Sequence, residues 1–300
     1  MSVTARDLSL PSFAADALCL GPHWIYDQAK VAALYPGGIR CYDAPKSPYH
    51  PGKQAGDFTH YGDQMLALLR SVLRRGGYQH EGWREDWSEF WSKNTTAYRD
   101  GATKATLDHL VHGRHEPSDS HDFAGASRMA PVLAALAGAG LEERVQASRS
   151  QTALTHGDAE TIDCAEFFTR VVDGIGSGLS IPQALERASA ISYSALDACA
   201  AQKIANASVN GTPAAVGTAM GLSCSTSEAF PLTLYLLLKF AERPAEALVQ
   251  NAMIGGDSAA RGLLIGLVMG AAHGTDWMPR AWIDELNAGS EIDALLKAPV

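Results

Sequence analysis

A carboxylate and a hydroxyl that directly follow two glycines, Gly255-Gly256-Asp257-Ser258, are the strongest chemical signal in this 300-residue sequence. Paired glycines permit a tight turn, and Asp257 or Ser258 then stands where a helix start leaves N–H groups without partners. A second polar helix start, Tyr61-Gly62-Asp63-Gln64, offers another carboxylate with a phenol and an amide beside it. If the two turns face one another, Asp63 and Asp257 form a pair able to orient or activate water. A third turn, Thr155-His156-Gly157-Asp158, reads first as a helix cap by Asp158, and it also sets an imidazole beside an acid, the usual material of proton transfer.

These turns need helices to hold them. After Ser258, Gly262, Gly266 and Gly270 recur every fourth residue and so share one face of an apolar helix. Each costs roughly 1 kcal/mol of helix propensity relative to alanine, which implies that another backbone packs against that face. Met65, Leu66, Leu68, Leu69, Val72 and Leu73 form a helical stripe behind Asp63, and Trp83, Trp87, Phe90 and Trp91 form a core-facing aromatic one. Helical periods recur at residues 142–153, 159–174, 181–200, 230–241 and 245–253. Strand alternation is nearly absent, residues 205–211 being the weak exception. Residues 35–58, rich in Pro, Gly and Tyr, read as a long loop of the kind that carries function. The expectation is an all-α chain of ten or more helices, with residues 1–300 as a single domain.

Composition narrows the partners. A formal net charge of −9 argues against nucleic acid and against an anionic membrane, since both attract basic surfaces. The apolar run at residues 263–272 is too short for a bilayer, and Met1 to Asp7 lacks the basic and apolar segments of a secretory leader, which points to the cytoplasm. The five cysteines are widely spaced without a CxxC pair, which suits reduced thiols and neither a disulfide nor a cysteine zinc site. His109, His112, His115 and His121 lack acidic or thiol partners at zinc spacing and read as a solvated helix end and loop. No serine elbow, Walker loop or GxGxxG is present.

Five motifs occur in a telling order: Ala15-Asp16-Ala17-Leu18 with Gly21; the helix start at Asp63; Gly125 onward to Arg128-Met129-Ala130-Pro131; Thr155-His156; and Gly255-Gly256-Asp257 before the glycine-rich helix. Together they resemble the ADP-ribosylglycohydrolase family over roughly residues 14–274. Arg261 in Gly-Gly-Asp-Ser-Ala-Ala-Arg-Gly, with Tyr-Gly-Asp-Gln, resembles the divergent branch that includes the J-type lens crystallins. The resemblance implies an orthogonal multi-helix bundle. In active members a Thr-Asp-Asp and an Asp-x-Asp-Thr hold two magnesium ions, and this sequence departs from both motifs. The first position reads Gly62, Asp63 and Gln64, or, two residues earlier, His60, Tyr61 and Gly62; the second reads Asp257, Ser258, Ala259 and Ala260. Asp63 and Asp257, helped by Gln64 and Ser258, would hold one Mg²⁺ weakly and not two.

The implied activity is hydrolysis of an N- or O-glycosidic bond in an ADP-ribosyl or ribosyl compound, with a small molecule or an ADP-ribosylated substrate as partner and the Gly255 and Gly256 N–H groups receiving its phosphate oxygens. Asp63, Asp257 and His156 are the candidate catalytic residues, with Gly255, Gly256, Ser258, Gln64, Tyr61 and Asp158 as candidate substrate contacts. Two alternatives stand beside it. One is a catalytically silent, crystallin-like binding or structural protein in which the polar turns are only helix caps. The other is a metal-free glycosidase whose carboxylates lie about 5 Å apart if retaining, or roughly 6.5–9.5 Å apart if inverting.

Overall fold

A computed structural model describes residues 3–298. The first half contains α1 (Ala5–Cys19), α2 (Gln28–Leu34), α3 (His60–Arg74), α4 (His80–Lys93), α5 (Gly101–Val111), α6 (Ala124–Ser127), α7 (Ala130–Ala135) and α8 (Leu141–Ala153). The second half contains α9 (Ala159–Gly176), α10 (Ile181–Ser189), α11 (Ala198–Ser208), α12 (Pro213–Met220), α13 (Thr226–Lys239), α14 (Pro244–Ile254), α15 (Ser258–His273), α16 (Arg280–Asp284) and α17 (Gly289–Lys297). Among the described residues β contacts are limited to two isolated bridges, Ser118 with His156 and Asp122 with Ser225. The protein is all-α, as its periodicity predicts, and an orthogonal bundle, as the resemblance implies.

Its centre is the pair α1 and α15. Apart from Ser258 and Arg261, helix α15 is apolar as far as Ala271 and buried over that length, the signature of a helix inside a core. The glycine row lies against α1 as expected. A Cβ at Gly266 would stand 2.5 Å from the Pro11 carbonyl oxygen, and one at Gly262 would stand 3.2 Å from Cys19 Sγ. Pro11 has no N–H for the carbonyl of Asp7 one turn earlier, and that carbonyl is the group pressed against Gly270. Ser12 Oγ donates to the Leu263 carbonyl at 2.8 Å, a bond that only so close a helix pair allows. Trp83, Trp87 and Trp91 of α4 are buried in a second cluster against α3 and Val132, and Phe90 packs on its edge.

Two local expectations fail for physical reasons. Residues 205–211 are the end of α11 and a turn, with Ala205 buried on a helix face, and not a strand. Residues 181–200 are two helices. The Asp163 carboxylate accepts from Ser194 Oγ at 2.8 Å and from the Ala195 and Leu196 N–H groups at 2.7 and 3.2 Å, which draws the chain out of the helix before Asp197 caps α11. All five cysteines are unpaired, with Cys41 and Cys199 exposed.

Candidate active site

The start of α3 is set by a residue from α1. Asp16, fully buried, accepts from the Thr59 N–H and hydroxyl, each at 2.7 Å, and from the Gly62 N–H at 3.2 Å. A Cβ at Gly62 would stand 2.5 Å from Asp16 Oδ2, so glycine is needed for the carboxylate to reach. Burial raises the Asp16 carboxyl to about 6 in spite of these bonds. This clamp decides which side chains of α3 face inward. His60 and Tyr61 are buried, whereas Asp63 sits half-buried with Lys53 Nζ 2.6 and 2.8 Å from its oxygens.

Asp257 enters from the opposite side. Gly255 and Gly256 have φ of 75° and 62°, the left-handed conformation that the paired glycines predict. The turn is stitched into its neighbours. Gly255 N–H bonds to Ala252 O, Gly256 N–H to Ile25 O, Asp257 N–H to Leu222 O and Ser258 N–H to Gly256 O. None of these N–H groups is free, so the phosphate role expected of Gly255 and Gly256 has no donors here, and the Ser258 hydroxyl is buried without a partner. Asp257 makes no side-chain cap bond to α15. Its Oδ2 instead accepts from Tyr61 Oη at 3.0 Å and from Trp24 Nε1 at 3.4 Å, and its buried Oδ1 has no hydrogen-bond partner.

Asp122 and Cys224 complete the carboxylate side. The Asp122–Ser225 bridge holds their strands of chain together, with Phe123 N–H on Cys224 O at 2.8 Å and Thr226 N–H on His121 O at 3.0 Å. One ligand-type atom each from Asp122, Cys224 and Asp257 lies within 4.8 Å of the others, and Asp122 Oδ2 is 3.5 Å from Tyr61 Oη. Burial raises the Asp122 carboxyl well above its ordinary range, and the charge of Asp257 adds to that. Burial raises Asp257 too, but the charge of Arg261 and the bond from Tyr61 oppose it. Both carboxyls are thus raised, and the pair holds on to a proton that two free carboxylates would lose.

Next to Asp257 lies a group of imidazoles. His23, His50 and His60 each offer a nitrogen within 4.8 Å of the others, all three rings being buried. His23 Nδ1 is 4.0 Å from Asp257 Oδ1. His60 Nε2 bonds to Asp100 Oδ2 at 3.1 Å, and Asp100 caps α5 by accepting the Thr103 N–H at 2.6 Å. Against the cost of burial, these bonds hold the Asp100 carboxyl well below its ordinary value. Burial, followed by the neighbouring rings, keeps His23 and His50 neutral, His50 falling to about 3. Trp24, Tyr49 and Tyr98 pack edge to face around one another, and Trp24 stacks on His23 with ring centroids 4.4 Å apart. Trp24 has φ of 62°, a conformation that costs a bulky residue on the order of 1–3 kcal/mol and that gathers at functional sites.

The side chains of the remaining candidates are spent on other partners. Gln64 accepts from Trp87 Nε1 at 2.8 Å and from Arg128 Nη1 at 2.5 Å, deep in the interior. His156 is buried with Nδ1 2.8 Å from Thr155 Oγ1, its ring packed on Gly125, and burial and Arg128 lower it to about 3. Asp158 caps α9 by accepting the Thr161 N–H at 2.9 Å. Sequence reasoning passed over His23, His50, Asp100, Asp122 and Cys224. His50 lay in the loop already marked as functional, and Asp100 before a glycine at a helix joint.

The family profile for ADP-ribosylglycohydrolase matches residues 5–299. The chain belongs to the ADP-ribosylglycohydrolase family. A solved structure described as an ADP-ribosylglycohydrolase-related protein complex shares its fold, with a TM-score of 0.74 and 18% identity over 98% of this chain and 97% of that one. No curated protein sequence matches the chain.

Family membership raises the question of a magnesium pair, and the donors present do not suit one. Two adjacent hard dications need several carboxylates. Here the converging groups are two carboxylates, a thiol, a phenol and three imidazoles, and Asp63 is neutralised by Lys53.

Proposed function

We propose that this family member hydrolyses an N- or O-glycosidic bond of an ADP-ribosyl or ribosyl compound, using Asp257 and Asp122 in place of a magnesium pair. The observation that carries the reading is the buried Asp257 carboxylate, which caps nothing and keeps Oδ1 without a partner beside a second acid. A helix cap would spend that oxygen on α15, and Asp257 makes no such bond.

Asp122, half-buried and protonated, donates its proton to the departing nitrogen or oxygen. Asp257, ionised and held by Tyr61 and Trp24, stabilises positive charge developing at the anomeric carbon or attacks it. Oxygens within 4.8 Å are closer than the roughly 6.5–9.5 Å that leaves room for water between an acid and a base, which favours retention over inversion. No step of this scheme passes through Mg²⁺, and small ADP-ribosyl compounds and ADP-ribosylated proteins are both within its scope.

The test is release of free ADP-ribose or ribose from a panel of N- and O-linked ribosides, with the anomer of the first-formed product read by NMR. Release that Asp257→Asn removes supports the reading. No release from any riboside, or equal release by the variant, would end it.

A further inference from the structure

We infer that His23, His50 and His60 form a site for one divalent transition metal ion of the zinc type, bordering Asp257 and unlike a magnesium centre. Three observations carry the inference. His50 Nε2 and His60 Nδ1 are 3.1 Å apart, and His23 brings a nitrogen within 4.8 Å of both. Two nitrogens bound to one tetrahedral zinc at about 2.0–2.1 Å stand roughly 3.3 Å from each other, so the two rings are already near ligand spacing.

The second observation is unmet bonding. Neither ring nitrogen of His23 has a hydrogen-bond partner, nor has His50 Nδ1, although both rings are buried. A neutral imidazole always carries one N–H, so buried His23 leaves a donor and an acceptor unsatisfied in either tautomer, a costly arrangement that metal ligation would relieve at the acceptor. The third is the support behind His60. The ionised Asp100 accepts the proton of Nε2, which turns the Nδ1 lone pair toward His50, and Asp100 is itself fixed by Thr103. A carboxylate behind a histidine in this way is the usual outer partner of a metal-binding imidazole. Nitrogen donors suit zinc, iron, cobalt, nickel and copper, and magnesium and calcium prefer oxygen. The unpartnered Oδ1 of Asp257, 4.0 Å from His23 Nδ1, sets a carboxylate beside the position such an ion would leave open.

The experiment uses the full chain, stripped with a chelator and titrated with Co²⁺ and Zn²⁺ alone. One equivalent of Co²⁺ should bind per chain, with visible bands of low coordination number and no thiolate charge-transfer band, and Zn²⁺ should displace it while millimolar Mg²⁺ does not. X-ray absorption of the zinc form should show three imidazole ligands, a readout on the parent chain that needs no variant to fold. His23→Ala should weaken Co²⁺ by more than about 100-fold and Asp100→Asn by roughly 10–100-fold, with Cys224→Ser unchanged. The inference is overturned by a folded parent that takes up neither ion. A thiolate band lost in Cys224→Ser, fewer than three imidazoles, or affinity that survives His23→Ala would equally overturn it. None of these readouts depends on glycoside hydrolysis, so failure here leaves the hydrolase reading standing and the reverse.

Discussion

Tyr61 donates its hydroxyl to Asp257 Oδ2 at 3.0 Å, joining two helix starts 196 residues apart in the chain. Both residues are buried, so the bond holds the orientation of the one carboxylate oxygen left without a partner. Tyr61→Phe removes the donor and keeps the ring. Because bonds to charged acceptors contribute about 1.5–3 kcal/mol, the variant should lose stability in that range in a urea titration at pH 7. Stability equal to the parent's would mean that the bond contributes nothing.

The two aspartates singled out by sequence should separate in function. Asp257→Asn should lower glycoside hydrolysis by at least about 100-fold, the scale of a lost acid–base or charge-stabilising group. Asp63→Asn removes only a part-buried ion pair with Lys53 and should stay within about fivefold of the parent. Steady-state rates on one active riboside decide it; an Asp63 effect as large as that of Asp257 would return Asp63 to the centre of the site.

Helix contact at the glycine row gives a stability prediction. Gly266→Ala sets a methyl 2.5 Å from the Pro11 carbonyl and should cost about 1–3 kcal/mol through forced separation of α1 and α15. Gly138→Ala, with nothing within 4 Å of the added carbon, serves as the control and should be neutral. Thermal unfolding of both variants checks the pair.

A pH dependence follows from Asp86, whose carboxylate accepts from Ser71 Oγ at 2.6 Å and from Arg75 Nε and Nη2 at 2.8 and 2.7 Å, with Arg74 beside it. The bond from Arg75, foremost among these, holds its carboxyl well below the ordinary 3.8. A depressed folded-state value means stability that is present above 3.8 and lost as acid protonates the group. Asp86→Asn should therefore lower the melting temperature at pH 7, and the gap from the parent should narrow as the pH is taken below 3.8. A gap that stays constant with pH would show that packing, and not charge, is what the substitution removes.

Periods and spacings in the chain determined the helices. The glycines at 262, 266 and 270 announced a close backbone, and Asp257 after two glycines announced a polar turn, because these signals depend on neighbours within four residues. The register of α3 was open between Asp63 and the His60-Tyr61 pair, since both lie within one helical turn. Asp16, 43 residues upstream of Thr59, decided it by bonding the Thr59 and Gly62 N–H groups. In the same way the break at residues 190–197 came from Asp163 on another helix. His23, His50 and His60 come from the turn after α1, a loop and a helix start, so no period in the sequence marks them as a group. Only the docking of residues 24–25 on the Gly256 turn and of Asp16 on α3 brings those rings together, and such convergence is a property of tertiary contacts alone.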